Sequence, residues 1–114
     1  MGLIKPNIAK LLAKQDIKGL IKALENSDES VREDAANALG TVRGSQAIES
    51  LIATLEEESE NVQIAAIKAL GKMNNAQIVK PLHFVLKKTD CKEVLEATIE
   101  ALENLTDTNA VELS

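Results

Sequence analysis

Hydrophobic residues recur along the chain with a period of 31 residues. Leu20, Leu51 and Leu82 are separated by this spacing, and the apolar residues around them repeat with it. Within each unit the apolar positions advance in steps of three and four, which places them on one stripe of an α-helix. The first stripes are Ile17, Leu20, Ile21, Leu24; Ile48, Leu51, Ile52, Leu55; and Val79, Leu82, His83, Leu86. This period predicts a helical repeat protein.

A second apolar stripe follows the first in every unit. The second stripes are Val31, Ala35, Ala38, Leu39, Val42; Val62, Ala66, Ala69, Leu70, Met73; and Val94, Thr98, Ala101, Leu102, Leu105. The third set is offset by 32 residues, so one residue has entered the turn around 88–92, as a solvent-exposed turn tolerates. Asp28, Ser59 and Asp90 precede the second stripes, where a short polar side chain can accept from free N–H groups. Each unit is therefore predicted to be helix, turn, helix.

Helix pairs of this kind must stack in order to bury their apolar faces. We predict an all-α fold, a right-handed α-solenoid of about seven helices with the second helices along one face. Gly40 and Gly71 recur near the ends of the second helices, where a missing side chain allows close approach. The predicted single domain 1–114 comprises a capping helix (1–15), three full repeats (16–46, 47–77 and 78–109) and the start of an incomplete fourth repeat (110–114).

The second stripes also carry a resemblance to a known family. Residues 28–40 read Asp-Glu-Ser-Val-Arg-Glu-Asp-Ala-Ala-Asn-Ala-Leu-Gly, and residues 62–71 repeat the pattern. These strings resemble the HEAT repeat, and more narrowly the short HEAT-like repeats of phycobiliprotein lyases, over about residues 16–105. The resemblance implies a scaffold whose second helices line a partner-binding groove. Gln63 and Leu95 stand where the family usually has Arg, so the later units are more divergent.

Composition and charge exclude several classes of function. Of 114 residues, 45% are hydrophobic but only one is aromatic, so the core must be aliphatic. A net charge of −5 and the lack of Trp and Tyr argue against nucleic-acid binding. One cysteine and one histidine exclude an intramolecular disulfide and a multi-histidine metal site. Without a membrane-length apolar run or a signal peptide, we expect a cytoplasmic protein with no membrane partner and no cofactor.

The reactive side chains of the chain form no catalytic constellation. His83 has no second histidine or acid close in sequence, and Cys91 has no histidine placed to act as its base. The acidic run 56–58 lacks the ligand spacing of a calcium loop. We therefore expect no enzyme activity and assign no catalytic or metal-binding residue.

The remaining polar and out-of-pattern positions are candidates for contact with a partner. Phe84 stands where the other units have Lys22 and Ala53, and an apolar residue at a polar position indicates a contact surface. We predict a non-catalytic protein–protein interaction module that uses either the second-helix groove or the exposed C-terminal face. The alternatives are an accessory or regulatory subunit of a lyase-like enzyme, or a fragment of a longer HEAT array. The candidate partner-binding residues are Arg32, Glu33, Asn37, Gln63, Lys68, Lys72, Phe84, Leu95, Glu96 and Glu100.

Charge is divided unevenly between the two ends of the chain. Residues 1–24 carry five lysines and one aspartate, whereas residues 90–114 carry seven acids and one lysine. Opposite charges at the two ends of a stack attract head to tail, and such contacts form rings or open chains. Self-association through the ends is therefore a further hypothesis.

Overall fold

A computed structural model of the protein describes residues 5–42 and 44–113, with side chains through Leu105. Within these ranges the chain forms seven α-helices and one 3-10 turn, and no strand. The α-solenoid predicted from the periodicity is confirmed. The elements are α1 (Ile8–Ala13), α2 (Ile17–Ala23), α3 (Glu29–Val42), α4 (Ser45–Thr54), α5 (Glu60–Gly71), the 3-10 turn (Ala76–Ile78), α6 (Val79–Lys88) and α7 (Lys92–Leu113).

Several helices begin where the sequence supplies a capping side chain. Asn7 accepts a hydrogen bond from the backbone of Lys10 ahead of α1, and Ser59 accepts one from Val62 ahead of α5. Each cap satisfies an N–H group that the helix itself leaves without a partner. Before α4, Gly44 adopts a φ of 109°, a left-handed conformation that glycine reaches without steric cost.

The second helices α3, α5 and α7 form a close-packed spine through the array. A Cβ atom on Gly40 would lie 2.7 Å from the Cβ of Ala69, and one on Gly71 would lie 3.0 Å from that of Ala101. The missing side chains therefore let α3 approach α5 and α5 approach α7. The first helices α2, α4 and α6 make far fewer contacts with one another, which leaves room between them.

Both ends of the array can be compared with the prediction. At the N-terminal end α1 packs on α2 and α3 through Ile8, Leu11 and Leu12. At the other end α7 runs unbroken to Leu113, whereas the sequence analysis places the start of a fourth repeat at 110–114. The helix continues because 103–113 contains neither glycine nor proline. Ser114 lies outside the described residues.

Candidate functional site

The array contains two equivalent places where consecutive repeats meet on the first-helix side. We call the boundary between repeats one and two, where α2 faces α4, the first junction. The boundary between repeats two and three, where α4 faces α6, is the second junction. The walls contributed by α2 and α4 are alike in sequence. Positions 21, 24 and 25 of repeat one hold Ile, Leu and Glu, as do positions 52, 55 and 56 of repeat two. The two junctions differ instead in what faces these walls.

The first junction is bridged by an arginine. One guanidinium nitrogen of Arg32 donates to the carbonyl oxygen of Asn26 at 2.7 Å, and the other lies 3.2 Å from Oε1 of Glu57 in the next repeat. The Arg32 side chain is only 18% exposed. Arg32, one of the candidate partner-binding residues, is therefore only partly accessible, because its long side chain folds back over the turns and links repeats one and two.

A second polar link joins the same two repeats. The Ser59 hydroxyl donates to the Glu29 carboxylate, and Nδ2 of Asn61 donates to the same oxygen at 3.2 Å. The hydrogen bond from Ser59, followed by that from Asn61, lowers the pKa of Glu29.

Nearby, the Lys5 ammonium lies 2.6 Å from Asp28. This contact, together with hydrogen bonds from Ser30, holds the pKa of Asp28 well below its usual range.

The second junction lacks the residues needed for the arginine bridge. Gln63 occupies the position of Arg32, and Lys88 occupies that of Glu57. The Gln63 amide donates to the carbonyl oxygen of Leu55 at 3.0 Å, so it stays within its own repeat. Gln63, another candidate partner-binding residue, is half-buried.

A groove of about 600 Å³ lies open at the second junction. Its floor is apolar, and its rim carries the cationic side chains of Lys80 and Lys88 and the anionic side chain of Glu56. We call it the α4–α6 groove. The residues that line it are Ile52, Leu55, Glu56, Gln63, Lys80, Pro81, Phe84, Val85, Lys88 and Thr89.

The α6 wall of this groove differs from the equivalent wall of repeat two at every lining position. Two glutamates of α4 and the turn after it become lysines, and three small or hydroxyl side chains become larger apolar ones. The replacements from repeat two to repeat three are Glu49 to Lys80, Ser50 to Pro81, Ala53 to Phe84, Thr54 to Val85, Glu57 to Lys88 and Glu58 to Thr89. The second junction is thus apolar and cationic where the first is polar and anionic.

Phe84 is the most exposed large hydrophobic residue that the structure describes. Its side chain is 56% exposed, and Nζ of Lys88 lies 4.9 Å from the ring centroid. That distance is within the range of a cation–π contact. The exposure expected of Phe84 is confirmed, but the residue lies on the first-helix side, away from the second-helix candidates.

The second-helix candidates form a different surface. Lys68, Lys72, Glu96 and Glu100 line two depressions of about 220 and 260 Å³ between α5 and α7. Their opposite charges face one another across the helix pair, and the apolar contribution comes from alanines and Ile64. On neighbouring parts of the array, Asn37 is exposed and Glu33 and Leu95 are half-buried.

A further exposed apolar residue escaped the sequence analysis. Ile99 of α7 is 41% exposed, whereas Ile67, its equivalent in α5, is fully buried. The α5 helix packs against the following helix α7, and within the described part of the chain no helix follows α7. Because both positions hold isoleucine, the repeat alignment alone does not distinguish them.

His83 and Cys91, the reactive side chains singled out in the sequence, are not among the residues that line the α4–α6 groove. No group of three metal-ligating side chains occurs among the described residues, and His83 is exposed. Cys91 is half-buried with its Sγ 3.7 Å from Oε1 of Glu93. None of the helices in these ranges has the length and apolarity required to cross a membrane.

Comparisons with known proteins agree with the architecture. The profile of HEAT repeats matches residues 48–113, and that of the PBS lyase HEAT-like repeat matches residues 31–57. Among solved structures, the crystal structure of an engineered protein is 25% identical with a TM-score of 0.61 over 88% of this chain, which spans 49% of that one. No curated protein matches. Since the HEAT profile covers more than half of a chain built from stacked helix pairs, the protein belongs to the HEAT repeat family.

Proposed function

We propose that the protein is a non-catalytic scaffold that binds another protein through the α4–α6 groove. The observation that carries the proposal is this groove, with its exposed aromatic side chain, at a junction that the repeat pattern would otherwise bridge. Residues that dominate binding energy at protein interfaces are enriched in aromatic side chains seated in apolar pockets. Phe84 is the single aromatic residue of the chain, and it lines such a site.

The surfaces favoured by the sequence analysis are weaker candidates. On the second-helix surface, the lysines at 68 and 72 line the same depressions as the glutamates at 96 and 100, so this surface has mixed charge and no aromatic side chain. The C-terminal face offers the exposed side chain of Ile99 but no aromatic residue, since Phe84 is the only aromatic residue of the sequence. Both surfaces stay alternatives to the α4–α6 groove. Variants on each of the three surfaces can show which one binds the partner.

A capture experiment with matched variants tests the proposal. The wild-type protein and three variants, Phe84→Asp, Ile99→Asp and Lys68→Glu/Lys72→Glu, are each immobilised, and the retained proteins are quantified by mass spectrometry. All changed side chains are exposed, so circular dichroism should show that every variant stays folded. We expect a partner that is retained by the wild type and by the last two variants but lost with Phe84→Asp.

Loss of the partner with Ile99→Asp, or with the lysine variant, and not with Phe84→Asp would contradict the proposed groove. The C-terminal face or the second-helix surface would then be the binding site. If all three variants retain the same proteins as the wild type, none of these surfaces binds the captured proteins.

A further inference from the structure

The charge on α6 is opposite to that of the protein as a whole. Val79–Lys88 contains Lys80, Lys87 and Lys88 and no acid, while the full chain has a net charge of −5. Two of these lysines line the α4–α6 groove, opposite Glu56. Because glutamates occupy the equivalent positions 49 and 57 of repeat two, the local sign of charge on α6 is opposite to that on the matching wall of repeat two.

The two groove lysines are separated along α6. Lys80 and Lys88 are eight residues apart on one helix, which corresponds to about 12 Å at a rise of 1.5 Å per residue. Between them, Pro81, Phe84 and Val85 form the apolar floor with the α4 wall. A ligand that satisfies the whole surface needs an apolar centre and a negative charge at each end.

We infer that the α4–α6 groove binds an acidic amphipathic helix of a partner protein, an inference that rests on the proposed function. A helix lying along α6 would place two carboxylates eight residues apart against Lys80 and Lys88. Its apolar side chains, four residues further on from the first acid, would contact Phe84. Helices that lay an apolar face into a groove are a common mode of peptide recognition.

Designed peptides provide a direct probe. One fluorescein-labelled helical peptide carries glutamates eight positions apart with leucines between them, and its companion carries lysines in place of the glutamates. Binding is measured by fluorescence anisotropy at low and at physiological salt. We expect the acidic peptide to bind at least about tenfold more tightly than the basic one, with the difference shrinking as salt screens the charges.

Two variants test the residues named. Phe84→Ala should weaken binding of the acidic peptide by about fivefold or more, because it removes the aromatic anchor. Lys80→Glu/Lys88→Glu should weaken it by at least about tenfold at low salt. The matched control is Lys18→Glu/Lys22→Glu, which makes the same change in net charge with exposed lysines of α2 and should leave binding within about twofold.

A third variant closes the groove without touching Phe84. Gln63→Arg/Lys88→Glu places at the second junction the residue pair that bridges the first, where Arg32 and Glu57 are 3.2 Å apart. Binding of the acidic peptide should fall at least as far as with Phe84→Ala. A melting temperature equal to or above that of the wild type would show that the loss does not come from unfolding, and a larger loss than with Lys88→Glu alone would assign the excess to closure.

The outcomes separate this inference from the proposed function. Equal binding of both peptides, or equal weakening by the α2 control, overturns the acidic partner but leaves a groove that depends on Phe84. Failure of both peptides to bind overturns the amphipathic helix, while the capture experiment with Phe84→Asp still decides the proposed function. Concentration-dependent self-association that Phe84→Ala abolishes identifies a second copy of the chain as the occupant, and also overturns the inference.

Discussion

The two repeat junctions share one side and differ on the other. On the second-helix side, Gly40 meets Ala69 at the first junction and Gly71 meets Ala101 at the second, in nearly the same geometry. On the first-helix side, Arg32 bridges to Glu57 at the first junction, whereas the second is open around Phe84. The same repeat thus produces one junction that is bridged by an arginine and one junction that contains an open groove.

This difference shows that the second helices hold the array together, whereas the facing walls of the first helices can vary in sequence. The spine of second helices is close-packed, so its residues are constrained by the neighbouring helix at each step. The first helices diverge, and a residue on their facing walls can change without disturbing the spine. The replacements on α6 therefore alter a surface while the core residue Leu82 stays fully buried, as Leu51 and Leu20 are.

The largest expected effect concerns the spine. Ile67→Ala should lower the free energy of unfolding by about 2–5 kcal/mol, because a fully buried isoleucine leaves a cavity. Ile99→Ala, the same change at the equivalent position of α7, should cost less than about 1 kcal/mol because its side chain is 41% exposed. Urea denaturation of the two variants measures both values. Equal costs would mean that α7 is covered in solution.

The cost in stability of replacing each spine glycine by alanine should follow how closely the new Cβ atom approaches the neighbouring helix. Gly40→Ala should destabilise the protein by about 1–2 kcal/mol, because the new Cβ would lie 2.7 Å from the Cβ and 3.0 Å from the Cα of Ala69. Gly71→Ala, whose Cβ would lie 3.0 Å from that of Ala101, should cost less since alanine also favours the helix. Thermal unfolding compares the melting temperatures of the two variants. A larger decrease for Gly71→Ala than for Gly40→Ala would contradict this order.

The arginine bridge at the first junction should contribute less to the free energy of unfolding than the contacts of the spine. Arg32→Gln gives repeat one the residue of repeat two and removes the bonds to Asn26 and Glu57. Because Nε of Arg32 is buried without a hydrogen-bond partner in the described structure, we expect a net loss of about 1 kcal/mol. Denaturation with urea measures the loss. The reciprocal control, Gln63→Arg alone, should leave stability within about 0.5 kcal/mol because Lys88 cannot pair with it.

The smallest expected effect is a pH dependence at the first junction. The pKa of Glu29 is lowered from its ordinary value of 4.5, so its contribution to stability is present above that pH and is lost as the pH falls through the folded pKa. The difference in unfolding free energy between the wild type and Glu29→Gln should therefore shrink on acidification. NMR titration of the Glu29 carboxyl gives the pKa directly, and Ser59→Ala should raise it. An unchanged pKa in that variant would contradict the hydrogen-bond assignment.

Much of the fold could be predicted from the sequence because repetition supplies several copies of each signal. The stripes, the Ser59 cap and the Gly40 and Gly71 contacts all follow from positions 31 residues apart. The course of α7 beyond 109 could not be predicted in the same way. The start of a fourth unit was predicted from a short match at 110–114, whereas α7 is one helix as far as Leu113.

The candidate site could be predicted only in part. Phe84 was identified because it breaks its own repeat, and Leu95 for the same reason, but the groove depends on which walls face one another. Helical periodicity assigns Arg32 to an exposed face and does not reveal that its long side chain reaches back to Asn26. Lys80 and Lys88 resemble ordinary surface charges until the structure places them on either side of Phe84.

The central claim is that the second junction, and not the first, is the binding site. Its most direct test is a ¹⁵N NMR titration of the protein with the acidic helical peptide, following every backbone amide. The account predicts that the perturbed amides cluster in α6 and at the end of α4, with α2 and the first turn of α3 unchanged. Perturbations centred on α2, or on the second-helix surface around Lys68 and Glu100, would contradict it.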